Sequence, residues 1–227
     1  MRVKQPALSA GLTTFTVSRE LFEKLYGHWL SNRVTASDVA ALGATVTVFG
    51  LLMALNECLM EAVGTDDEAY WVDLFDNAQE LLADHAPMDS VVVVPEGTSR
   101  WVLLHERGHA FIGRTSLLSA TLKGLDADAF FDRAFTISAP KRGFHFLYDY
   151  YQPDQRVHEL FADLYAWRMA DEETRQIMVP SESPYIRELR QELYGLLEDV
   201  DLFAIVLRKV GLDPDHLPLR TNPGVRS

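Results

Sequence analysis

Apolar positions in the first third of the chain recur at helical spacing. After Ser18, the residues Leu21, Phe22, Leu25, Trp29 and Leu30 fall on one side of the run from Arg19 to Arg33, the signature of an amphipathic helix. Val39 to Leu55 then runs without a single charge. It reads as a buried core helix, capped by Thr35 or Ser37 and ended by Gly64. A membrane span is the lesser reading of this stretch, because it leads straight into Asn56, Glu57 and Glu61 and has no Lys or Arg on that side. Asp66 is placed to cap a third helix reaching Ala83, with Tyr70, Trp71, Leu74, Phe75, Ala78 and Leu81 as its apolar stripe. These three helices form a helical N-terminal part, residues 1–88, closed by Pro87.

The pattern changes at Val91–Val94, four valines stopped by Pro95. A β-branched run between breakers predicts a buried strand. Glu96-Gly97-Thr98-Ser99 supplies a turn and a cap, and an apolar helix follows from about Arg100 to Ile112. Further helices are expected at 116–122, 127–135, 153–170, 184–197 and 201–211. Between them, Ile137 to Tyr151 is irregular and dense in aromatics. The predicted class is α+β, predominantly helical, with a small sheet. Residues 89–211 form the second part and 212–227, with three prolines, a flexible tail.

Composition adds little to this picture and charge adds more. At 227 residues, with 48% hydrophobic and 24% charged residues, the chain can build a core without disulfide support. Cys58 is its only cysteine, which leans towards a reducing compartment. Met1 to Leu12 has no continuous apolar segment of the kind a signal peptide needs, so the cytoplasm is favoured over export by another route. The net charge is −12, and the stretch between Arg33 and Arg100 holds twelve of the thirty-three acids with no Lys or Arg. Such a surface excludes a general nucleic-acid role. It suits a solvated helix face, or else a basic partner or substrate.

The chemistry concentrates in His105-Glu106-Arg107-Gly108-His109. Two histidines four apart share one helix face, so both imidazoles can reach one Zn²⁺. Glu106 sits about 100° round the same turn, where a carboxylate can act as the general base on a metal-activated water. A third protein ligand is required, and no histidine follows closely enough to supply it; the next is His145. Glu159 is the better candidate, with His145 and His158 as rivals. Glu159 and Asp163 stand at i and i+4, and Ala162, Ala166 and Ala170 line much the same side. Small residues there would let the two helices approach and bring Glu159 to the metal. Asp163 could then bond the free ring nitrogen of His105.

Taken together, the strand, the His-Glu-x-Gly-His-Ala helix, the intervening fifty or so residues and Glu159-Leu-Phe-Ala-Asp163 resemble the anthrax lethal factor-like zinc metalloproteases, which include the secreted Pro-Pro endopeptidases. The resemblance spans roughly residues 70–205. It implies a zincin-like metalloprotease domain with His105, His109 and Glu159 as zinc ligands, Glu106 as base and Asp163 in the acidic position behind the ligands. That family also carries a tyrosine seven residues before the ligand glutamate, which stabilises the oxyanion or protonates the leaving amine. The equivalent here is Gln152, and the adjacent Tyr151 is the nearest substitute. The chain is also similar to the ImmA/IrrE-type regulatory proteases, in the match of Glu159-Leu-Phe-Ala-Asp-Leu-Tyr-Ala166. Both resemblances imply the same chemistry on different substrates.

The expected function is therefore a zinc-dependent endopeptidase acting on a protein or peptide. Tyr151 or His145 would donate to the oxyanion, and Val91–Val94 would offer a strand edge to an extended substrate. The alternative is a non-catalytic interaction protein with a structural or degenerate zinc site, whose acidic helices bind a basic partner. A protease held to a membrane by Val39–Leu55 is the third reading.

Overall fold

A computed structural model describes residues 8–9, 12–30, 39–114, 120–122, 147–148, 151–199 and 201–214. The fold is α+β and predominantly helical, with one small sheet. The chain divides into two compact units, 1–98 and 99–227.

The first unit is built on four strands: β1 (Leu8–Ser9), β2 (Leu12–Val17), β3 (Ala44–Thr47) and β4 (Ser90–Pro95). Their order across the sheet is β1-β2-β4-β3. β4 is parallel to β2, with Thr14 opposite Val92, and antiparallel to β3, with Val46 opposite Val91. Every residue of β4 is buried, as expected of a valine run covered on both faces. Because β4 has a neighbour on each side, it presents no free edge to an extended peptide, contrary to the expectation from sequence. Its partners lie at 12–17 and 44–47, so the strand belongs to the first unit and not to the part beginning at residue 89.

Three helices complete this unit: α1 (Arg19–Leu30), α2 (Val48–Ala62) and α3 (Glu68–Leu81). Ser18 opens α1, its Oγ accepting the Leu21 amide at 3.2 Å. The uncharged stretch from Val39 is not one helix. It forms a 3₁₀ turn at Val39–Ala41, then β3, then α2. Thr45-Val46-Thr47 is β-branched and pairs with β4, which outweighs the apolar run's resemblance to a helix. The Thr47 hydroxyl then caps α2 by accepting the Gly50 amide at 3.0 Å; Thr35 and Ser37 lie outside the described residues. Gly64 terminates α2 with φ +77°, a backbone region that glycine enters without strain. At α3 the cap position is Asp67, not Asp66, and its side chain makes no capping bond. Phe15, Leu21, Phe22, Leu25, Leu51, Leu55, Trp71, Leu74 and Val93 form the core of this unit. Among the described residues no helix is long and apolar enough to cross a membrane.

The second unit is helical: α4 (Arg100–Arg114), α5 (Pro153–Met169), α6 (Glu172–Ile177), α7 (Pro184–Asp199) and α8 (Leu202–Lys209). Ser99 caps α4 through the Val102 amide at 3.2 Å. Pro153 occupies the first turn of α5, where its missing N–H costs nothing. Asp171 caps α6 by accepting the Thr174 amide at 2.9 Å. The core gathers Trp101, Leu104, Phe111, Leu160, Phe161, Leu164, Tyr165, Leu193, Tyr194, Phe203 and Leu207. Of the two helices expected between residues 116 and 135, only 120–122 are described, and these are helical. The aromatic segment is described only at 147–148 and 151, and most of the expected tail lies outside the described residues.

Candidate metal centre

The close crossing of α4 and α5 builds the site. A Cβ added at Gly108 would lie 2.8 Å from Ala162 Cα, 3.0 Å from Ala162 O and 3.2 Å from Ala162 Cβ. The two backbones therefore touch where one helix has no side chain and the other has a methyl. The three candidate ligands stand around this contact: His109 directly follows Gly108, His105 stands three residues before it, and Glu159 stands three before Ala162.

His105 and His109 project together from α4, with ring centroids 4.7 Å apart and ring planes at 84°. Their Nε2 atoms are 3.0 Å apart. Glu159 Oε2 lies 3.3 Å from His105 Nε2 and 3.5 Å from His109 Nε2. Four ligands around zinc at about 2.0–2.1 Å define a tetrahedron with edges of about 3.3–3.4 Å. The three measured separations fall around that edge length, so the donor set forms one face of such a tetrahedron and fits a divalent cation. The chemistry of the donors agrees, since two imidazole nitrogens and a carboxylate oxygen suit a borderline-soft metal. All three residues are half-buried, and among the described residues they are the group placed to hold a metal ion. His158, one step round α5 from Glu159, is not part of it; His145 lies outside the described residues.

The charges around the site reinforce one another. Burial opposes ionisation of Glu159, but hydrogen bonds with His105 and His109 outweigh it and hold the carboxyl far below its usual range. Asp163 is also held low against burial, by the charge and hydrogen bond of His105 and by Arg190. Burial disfavours charge on His105, yet Asp163 and Glu159 raise its pKa well above the ordinary imidazole value. Two carboxylates thus demand positive charge at one place. An imidazole proton meets that demand, and a cation bound by the same three atoms would displace it.

Asp163 stands where sequence reasoning put it, with Oδ1 2.8 Å from His105 Nδ1. Its other oxygen has partners that sequence reasoning missed. Tyr148 and Tyr194 each donate a hydroxyl hydrogen to Asp163 Oδ2 at 2.6 Å, and Arg190 Nη1 donates at 3.2 Å. Burial, with the Asp163 charge beside them, pushes both phenols well above their usual pKa, so they remain donors. Arg190 and Tyr194 stand four apart on α7, a spacing common to many exposed helix faces, and no local signal separates them from the rest.

Glu106 is half-buried on α4, next to His105. Tyr151 is half-buried just before α5. Its amide donates to the Tyr148 carbonyl at 3.0 Å, its carbonyl accepts from Arg156 Nε at 3.2 Å, and its ring lies 6.4 Å from that of Tyr148. Gln152 is exposed at the cap of α5. No family model, curated protein or solved structure matches this chain.

Proposed function

We propose that the chain is a zinc-dependent endopeptidase. The observation that carries this reading is the His105–His109–Glu159 triangle, with edges of 3.0, 3.3 and 3.5 Å and a glutamate adjacent to its first histidine. Zinc bound there supplies Lewis acidity to a water and to a peptide carbonyl. Glu106 is the general base, taking a proton from the water and passing it to the departing amine nitrogen. Among the described residues these three are the ligands the site offers, and a zinc they held would keep a position for water, as catalytic zinc sites do. Asp163 orients the His105 ring. Tyr151 is the described residue we assign as hydrogen-bond donor to the oxyanion, a role worth about 2.7–4 kcal/mol where it has been measured by removing one donor. The two-motif resemblance to lethal factor-like proteases supports the same assignment, and the substrate is a protein or peptide.

Metal analysis together with a Glu106→Gln variant tests the proposal. Wild-type protein should carry one zinc per chain and hydrolyse a peptide library. The variant should keep its metal and lose hydrolysis by several orders of magnitude. Hydrolysis retained by Glu106→Gln would remove the mechanism.

A second reading has its own support. On α2, Phe49, Met53 and Met60 are exposed, as is Val63 at its C-cap; the three helical residues fall on one stripe, with Glu57 and Glu61 to one side. An apolar stripe with an acidic border suits a basic amphipathic helix as partner. On that reading the metal is structural. Chelation would lower stability, no peptide would be cut, and association with the partner would weaken steeply with salt.

A further inference from the structure

Asp163 is one of the most deeply buried charged side chains described, with a side-chain exposure of 6%. Four donors converge on its two oxygens: His105 Nδ1 on Oδ1, and the hydroxyls of Tyr148 and Tyr194 with Arg190 Nη1 on Oδ2. Arg190 Nη1 also donates to the Tyr194 hydroxyl oxygen at 2.9 Å. That oxygen receives from the guanidinium and sends its own hydrogen to Asp163. Arg190 Nε donates to Glu182 Oε1 at 2.8 Å, which fixes the guanidinium plane from behind. Both hydroxyl hydrogens and one on Arg190 Nη1 are thus directed towards the carboxylate, which can only accept, and the nitrogen facing Oδ1 has to carry a hydrogen of its own. For His105 this places the hydrogen on Nδ1 and turns Nε2 towards Glu159 and His109.

Stability alone is a poor account of such a cluster, because buried ion pairs replaced by well-packed apolar groups often leave a protein as stable or more so. The connection to His105 is what distinguishes it. We infer that Arg190, Tyr148 and Tyr194 are positioning residues, which hold Asp163 so that it fixes the ring orientation and tautomer of His105 as a metal ligand. The inference rests on the metal reading above and extends it to α7, whose Arg190 and Tyr194 are 85 and 89 positions downstream of the histidine they serve. They act through Asp163, on whose Oδ2 their hydrogen bonds converge. Partners behind a ligating histidine typically change metal affinity by 10–100-fold when removed.

The test measures zinc affinity of the full chain by chelator competition, with the visible absorption of the cobalt-substituted protein as a second readout. Tyr194→Phe removes one hydroxyl and keeps the ring stacked on Trp101, 5.6 Å between centroids. It should weaken zinc binding about 10-fold or more and alter the cobalt spectrum while thermal unfolding stays cooperative. Arg190→Met should do the same, and Arg190→Lys should recover part of the loss. If Arg190→Met fails to fold, Tyr194→Phe and Tyr148→Phe carry the measurement. In an Asp163→Ala background, Tyr194→Phe should have no further effect, since its route to His105 is gone. Unchanged zinc affinity and cobalt spectrum in Tyr194→Phe would overturn the inference, as would a loss that persists undiminished beside Asp163→Ala. Either result leaves the metal reading standing. A wild-type chain that takes up no zinc overturns the metal reading and this inference with it.

Discussion

Replacing Gly108 with alanine adds one methyl at the closest approach of α4 and α5. That methyl would sit 2.8 Å from Ala162 Cα and 3.0 Å from Ala162 O, whereas carbon atoms reach their best separation at about 3.5–4.0 Å. The obstruction is backbone, so no rotamer change relieves it, and the helices have to part by about 0.7–1 Å. Two effects on stability oppose each other. Alanine gains about 1 kcal/mol of helix propensity over glycine, while overpacking a close contact costs about 1–3 kcal/mol. Net destabilisation is then at most about 2 kcal/mol, and the protein folds. The metal site is far less tolerant. Ligand distances need to hold within about 0.2 Å, and Glu159 lies on the helix that moves. Zinc affinity should therefore fall by more than about 10-fold, equivalent to about 1.4 kcal/mol, with a melting temperature within several degrees of the wild type. Chelator competition and calorimetry on the same sample read both quantities. Adding Ala162→Gly should restore little, because the α-carbon and carbonyl of residue 162 remain in the way. A Gly108→Ala protein that binds zinc like the wild type and melts higher would show that propensity alone governs the position, and would refute the close crossing.

Three further outcomes are expected. Thr47→Ala removes the side-chain cap of α2 and should cost about 1 kcal/mol, read as a shift in the urea midpoint with unchanged slope. The Cys58 thiol is buried, and burial raises its pKa above the usual value. Ellman's reagent should modify it slowly in the native protein and rapidly in denaturant; fast native reaction would contradict its burial. Hydrogen bonds from Thr174 hold Asp171 below its ordinary pKa. A group with a depressed folded pKa contributes stability above its unfolded pKa and loses it as pH falls through the folded value. Stability measured from pH 6 down to 2 should therefore include an α6 component that is lost at the acid end and is missing in Asp171→Ala.

The helices around the site were legible because their signals are local. Ser18, Ser99 and Pro153 mark starts that the structure keeps, and the i, i+4 spacing of His105 and His109 needs only the geometry of one helix. Glu159 could be nominated because Ala162 and its neighbours announce a close-packed face, although which helix would meet that face is a long-range fact. The sheet was only partly legible. Val91–Val94 identified itself, but Leu12–Val17 was passed over. Its alternation of Thr14, Phe15, Thr16 and Val17 and its β-branched content were available as a cue. Thr45-Val46-Thr47 was lost inside an uncharged stretch, where charge-free length favoured a helix and only pairing with β4 makes it a strand. Arg190 and Tyr194 were invisible for a related reason. An arginine and a tyrosine one turn apart occur on any solvated helix, and they acquire meaning only when tertiary packing carries Asp163 to them.

The position of β4 has a consequence for how the first unit is made. Its two partners are synthesised well before it, and neither β2 nor β3 pairs with the other. Until residue 95 has left the ribosome, a growing chain holds two sheet segments that share no neighbour and display their apolar sides. Assembly must wait for the valines, so during translation this unit depends on delayed closure across long sequence separations. A chain interrupted before the valine strand should be a substrate for holding chaperones and proteases, even though most of the unit's helical sequence would already be present.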